Sequence, residues 1–109
     1  LVTAADRVGL IRSGATPPPR PSADLLLATL AVTCGPRGMA VILTGRGNDG
    51  QAGVRAVAHC GGAVLAQDEA TSLYPAMPAA AVETNLVRRI LPLDQIPPAI
   101  VGHVTAAGR

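Results

Sequence analysis

The sequence predicts an α/β fold, a buried parallel sheet with helices laid over it, in one domain or part of one. Three observations predict it. Short apolar runs bounded by glycines alternate with segments of helical spacing. The apolar share is 49%, yet the chain has one Tyr and neither Phe nor Trp, so its core must be built from Ala, Val, Leu and Ile. Residues 40–66 read as a strand, a glycine-rich turn, a helix and a second strand, within the length of a βαβ crossover.

The elements follow in order. LVTAADRVGLIRSG at residues 1–14 reads as a two-stranded edge element. ATPPPRPS is an extended connector, because three consecutive prolines supply no backbone donors. Ser22 can cap a helix whose first turn holds Asp24, and Leu25, Leu26, Leu27, Leu30, Ala31 and Val32 make that helix apolar nearly all round and therefore buried. Gly35-Pro36 ends it. Met39–Leu43 is a buried strand, Gln51–His59 a helix stopped by Gly61-Gly62, and Ala63–Ala66 the next strand. A polar loop runs from Gln67, Pro78 opens a short helix, and Val87–Leu91 is a third strand. Asp94 caps a last helix whose first turn accommodates Pro97-Pro98.

Several function classes are disfavoured. The formal charge is only +2 and no basic cluster is interleaved with aromatics, which argues against nucleic-acid binding. No apolar run approaches the ~20 residues of a membrane span, so no membrane insertion is expected and the default location is cytoplasmic. Cys34 and Cys60 lack a CxxC spacing and read as reduced thiols. Asp68 and Glu69 lack a matched His or Asp, so no metal site is expected.

The most informative stretch is LTGRGNDG, Leu43–Gly50. It admits three readings. It can be a plain strand-to-helix turn, because Gly and Asn tolerate positive φ. It can be a dinucleotide fingerprint, since GRGNDG matches G-x-G-x-x-G and Asp68 lies near where a ribose-binding acid would sit. Against that, the Asp49 carboxylate would repel a pyrophosphate at the helix N-terminus. Or it presents Asp49 as the third member of a nucleophile–His–Asp set, beyond the carboxyl end of a strand where catalytic sites of open parallel sheets lie.

ILTGRGNDGQAGVRAV, GGAVLAQDEATS, MPAAAVE and VRRILPLDQI, in that order, with RPSADLLLATLA upstream, resemble the catalytic domain of the CheB-type chemotaxis protein-glutamate methylesterases. The likeness is strongest over residues 20–100. It implies hydrolysis of glutamate methyl esters, with possible glutamine deamidation, on the cytoplasmic helices of methyl-accepting chemoreceptors. The family does this with a Ser-His-Asp triad on an α/β fold, a doubly wound, mostly parallel sheet with helices on both faces, Rossmann-like, of which these residues would be a partial domain. Asp49 falls on the triad aspartate; Arg46 and Gly47 fall where backbone N–H groups stabilise the oxyanion; Thr44, Gly45, Asn48 and Met77 fall in loops at the substrate site. No metal or organic cofactor is implied. The sequence departs from the pattern at Arg46, usually Met, at Pro75 and Ala76, usually an aromatic and a glycine, and at Pro19, where a His often stands.

The family's nucleophilic serine and its histidine have no counterpart in these residues. Along a helix His59 lies ~15 Å from Asp49, too far for that carboxylate to orient it. His103 reads as a surface or packing residue, and Ser13, Ser22 and Ser72 lack a nucleophile-elbow pattern. Residues 1–109 are therefore expected to be the C-terminal part of the catalytic domain, inactive alone, with the nucleophile segment and a receiver domain outside them. Two other classes stay open: a catalytically inactive remnant or interaction module, and a dinucleotide-binding half-domain using GRGNDG.

Overall fold

A computed structural model describes residues 2–4, 7–9, 23–45 and 49–107. Two strands, β1 (Val2–Ala4) and β2 (Arg7–Val8), pair antiparallel with a register irregularity, as the opening segment predicts. They lean on α1 (Ala23–Cys34), where the Val2 N–H donates to Thr29 Oγ1 at 2.7 Å. The connector reading of ATPPPRPS and the capping role of Ser22 lie outside the described residues.

The main sheet holds β3 (Met39–Ile42), β4 (Ala63–Gln67) and β5 (Arg89–Leu91), all parallel, in the order β3-β4-β5. β4 is central and buried along all five residues, which is why its sequence shows no polar alternation. Two helices make the crossovers, α2 (Gln51–His59) from β3 to β4 and α3 (Ala76–Val82) from β4 to β5. After a single 3₁₀ turn at Leu93–Gln95, α4 (Ile96–Ala107) closes the described chain.

Strand alternation divides the core between two faces. Ala40, Ile42 and Val64 point to one, where they pack with Leu27 and Ala31 of α1, Val54 and Val57 of α2, and Ala81 of α3. Met39, Ala63 and Leu65 point to the other and line a cleft under Pro98, Ala99 and Gly102 of α4. Helices thus flank the sheet on both faces, as the resemblance implies.

Glycines set the ends of α2. Gly61, with φ +88°, donates to Ala58 O at 3.0 Å, and Gly62 donates to Val57 O at 2.9 Å, a Schellman stop. Gly50 begins the helix with φ +117° and offers no side-chain cap of its own.

The burial of one helix and several element boundaries differ from expectation. α1 buries only Leu27 and Ala31, while Leu25 and Leu26 are exposed and Val32 is 85% exposed. Its inner stripe meets α2, and β1 packs against the helix near Thr29. α3 starts at Ala76 rather than Pro78, because Pro75 with φ −81° already enters the turn. β4 extends through Gln67, and β5 is shorter than Val87–Leu91.

Candidate active site

Asp49 sits beyond the carboxyl end of β3, one residue before the N-cap of α2, and is half-buried. Its side chain reaches back to the first turn of α1. Oδ2 accepts the Ala23 N–H at 2.5 Å and Oδ1 the Asp24 N–H at 3.3 Å. The first amides of a helix lack intrahelical partners and carry the positive end of its dipole, so a carboxylate is a favourable acceptor there. An ionised carboxylate offers about four lone-pair sites. Two amides leave room on each oxygen for a further donor, such as an imidazole N–H.

Asp24 makes the converse contact. Its Oδ1 accepts the Gly53 N–H in the first turn of α2 at 2.9 Å. Each helix start is therefore met by a carboxylate carried on or beside the other. Gly53 makes this possible, because a Cβ there would lie 2.6 Å from Leu27 Cβ and 3.2 Å from Asp24 Cα. Only a bare backbone lets the two first turns approach this closely.

The turn after β3 is held separately. The Thr44 N–H donates to Gln67 Oε1 at 2.9 Å, and Gln67 Nε2 donates to Thr71 O at 2.8 Å. Gln67 is only 1% exposed, so this amide is a buried bridge between the end of β3 and the loop after β4. The Tyr74 N–H donates to Thr44 Oγ1 at 2.7 Å, and the Gly45 N–H to Tyr74 O at 2.8 Å. The Met77 N–H then donates to Gly45 O at 3.2 Å. Met77 lies over Gly45 so closely that a Cβ on residue 45 would fall 2.6 Å from its sulfur. Gln51 ties α2 to α3, its Nε2 donating to Ala80 O at 2.8 Å. Among the described residues no buried side-chain polar atom lacks a partner.

The sequence-predicted residues divide accordingly. Thr44, Gly45 and Met77 are brought together, and Asp49 stands at the start of the adjoining helix. Arg46, Gly47 and Asn48 lie outside the described residues. Position 76 needs no glycine, because Ala76 is helical and the only described non-glycine residue with positive φ is Asn85. Asp24, Gln67 and Tyr74 escaped the sequence reading as site residues. The signal for Gln67 was a polar residue closing an otherwise apolar run; for Asp24 none existed beyond its place in a first turn.

Other candidates are committed elsewhere. Asp68 Oδ1 accepts from Thr71 N–H at 3.0 Å and from Thr71 Oγ1 at 2.6 Å, an Asx-type turn that ties this carboxylate to its own loop. The Gly53 amide, which a pyrophosphate would seek, already has Asp24. His59 is exposed in the last turn of α2, and His103 is half-buried on α4. Among the described residues no group of three or more His, Cys, Asp or Glu is placed to hold a metal ion, and no helix is long and apolar enough to cross a membrane.

Comparison with known proteins adds an independent line. The family model for CheB methylesterase matches residues 2–100. A protein-glutamate methylesterase/protein-glutamine glutaminase of Moorella thermoacetica is 56% identical over 89 residues, covering 82% of this chain and 21% of that protein. A protein of the same description from Pyrococcus horikoshii is 43% identical over 85 residues, covering 78% of this chain and 23% of its own length. The chain thus spans between a fifth and a quarter of these relatives. The crystal structure of the Thermotoga maritima CheB methylesterase catalytic domain superposes with a TM-score of 0.74 at 35% identity, over 76% of this chain and 44% of that one.

Proposed function

Because the chain belongs to the CheB methylesterase family, we propose that residues 1–109 form the C-terminal part of a catalytic domain that hydrolyses glutamate methyl esters on methyl-accepting chemoreceptors. Asp49 is the carboxylate of its Ser-His-Asp triad. The observation that carries this reading is the Asp49 side chain itself. It is held beyond a parallel strand by two α1 amides, with acceptor capacity left over. The names of the relatives supply the substrate class.

The serine and the histidine belong to protein outside these residues. The serine Oγ attacks the ester carbonyl while the imidazole takes its proton. Asp49 accepts the other imidazole N–H, fixes the tautomer and stabilises the imidazolium. Backbone N–H groups at Arg46 and Gly47 bind the oxyanion of the tetrahedral intermediate. The imidazolium returns its proton to the departing methoxide, which leaves as methanol. Water then releases the glutamate by the same path in reverse. With a glutamine substrate the leaving group is ammonia. Thr44, Gly45, Asn48 and Met77 shape the substrate side of the loop. The setting is the cytoplasm, with a receiver domain preceding the catalytic one, and no step calls on a metal or cofactor.

The test is to express the reading frame that contains these 109 codons and to measure methanol release from a methylated chemoreceptor. Release is expected, falling about 10⁴-fold in Asp49→Asn with the fold retained and little change in folding. Wild-type turnover surviving in Asp49→Asn would remove Asp49 from the mechanism. A frame that encodes neither serine nor histidine segment, and releases no methanol, would leave an inactive remnant instead.

A further inference from the structure

We infer that Asp24 is a positioning residue for the Asp49 carboxylate, an inference that rests on the esterase reading above. Two bonds oppose each other across the helix pair. Asp49, at the entry of α2, accepts from Ala23 and Asp24 at the start of α1. Asp24, in the first turn of α1, accepts from Gly53 in the first turn of α2. Together they close a ring: Asp49 to the α1 amides, along α1 to the Asp24 side chain, across to Gly53, and back along α2 to residue 49.

The ring fixes what a single bond would leave loose. The α1 amides can aim Asp49 only if they stay at one distance from it. Leu27 packed on the bare Gly53 backbone sets how near the helices come. The Asp24–Gly53 bond sets how far one may slide along the other. Without the Asp24 side chain the Gly53 N–H loses its partner, and the first turn of α1 is free to shift against Asp49. A displacement of about 1 Å in a catalytic array can lower turnover on the order of 10²-fold. Asp24 Oδ1 is turned to the Gly53 amide, so in this inference the side chain acts through Asp49 rather than on the substrate.

The experiment uses the complete catalytic domain and four variants: Asp24→Ala, Asp24→Asn, Asp49→Asn and the Asp24→Ala/Asp49→Asn pair. Asp24→Ala is expected to lower kcat about 10- to 100-fold with KM within about twofold of wild type, because orientation of the imidazole is lost while substrate binding is not. Asp24→Asn keeps an oxygen for Gly53 and is expected to retain most of kcat. In the Asp49→Asn background, Asp24→Ala is expected to add nothing further, since there is no carboxylate left to aim. An unchanged kcat in Asp24→Ala, or the same fold-loss in both backgrounds, overturns the inference. Should Asp24→Ala fail to fold, Asp24→Glu retains the charge on a longer arm. It is expected to lower kcat at unchanged KM, and full kcat overturns the inference.

An inactive wild-type domain would refute the esterase reading alone. The Ala23 amide proton then decides the positioning role. Its carboxylate-bonded, downfield resonance is expected to move upfield in Asp24→Ala and return in Asp24→Asn, and a resonance indifferent to residue 24 overturns the inference.

Discussion

Replacing Gly53 by alanine sets two opposed effects against each other. Alanine is about 1 kcal/mol better than glycine inside a helix. At residue 53, however, the new Cβ falls 2.6 Å from Leu27 Cβ, 3.0 Å from Leu27 Cδ1 and 3.2 Å from Asp24 Cα. Carbon atoms in contact prefer about 3.5–4.0 Å, so the overlap approaches ~1 Å. Leu27 Cβ is rooted on the α1 backbone and has no rotamer that removes it, so α1 as a whole must retreat. Overpacking of this kind costs about 1–3 kcal/mol. The retreat also stretches the Asp24–Gly53 and Asp49–Ala23 hydrogen bonds. The net expectation is a loss of about 1–2 kcal/mol, the overlap outweighing the propensity. Urea unfolding of the complete catalytic domain measures it, as a lower midpoint at unchanged slope. Gly102 is the internal control. It lies in the interior of α4, and a Cβ there meets nothing within 4 Å. Gly102→Ala should therefore stabilise by about 0.5–1 kcal/mol. If both substitutions stabilise alike, the reasoning from helix approach is wrong.

Gly45→Ala brings a methyl group against Met77 Sδ, which is flexible enough to yield part of the way. A loss of about 1–2 kcal/mol is expected, less when Met77 is also alanine, and equal losses in a double-mutant cycle would show that the two do not meet. Gln67→Leu preserves volume but strands the Thr44 N–H and the Thr71 carbonyl. About 2–4 kcal/mol of destabilisation should appear in thermal unfolding, and an unchanged melting temperature would mean that water or another side chain serves those groups.

How much of this was legible beforehand depended on whether a residue's role was local. β3 and β4 could be read because a buried parallel strand needs an unbroken apolar run, and Met39–Ile42 and Ala63–Ala66 supply one. The stop at Gly61-Gly62 was legible because a Schellman turn is chemistry of adjacent residues. The prominence of Asp49 came from its glycine-rich context, but its partners did not, since Ala23 and Asp24 lie 26 and 25 residues away and offer only backbone. The exposure of Val32 was hidden for the opposite reason. An apolar residue on an apolar helix carries no mark of which stripe meets its neighbour. Gln67 showed its polarity in the sequence, but not that both ends of its amide would be engaged.

The crossed carboxylates also bear on how the chain folds. α2 begins at a glycine without a capping side chain and relies on an acceptor 29 residues earlier. Neither half of that exchange exists while the helices are apart, so their first turns are completed in one docking event rather than inherited from two preformed pieces. The loop-closure entropy is met once for the pair, and both carboxylates acquire their orientation in that same step. A nascent chain that has emerged only through α1 thus holds the amides for Asp49 but not yet the acid that fills them.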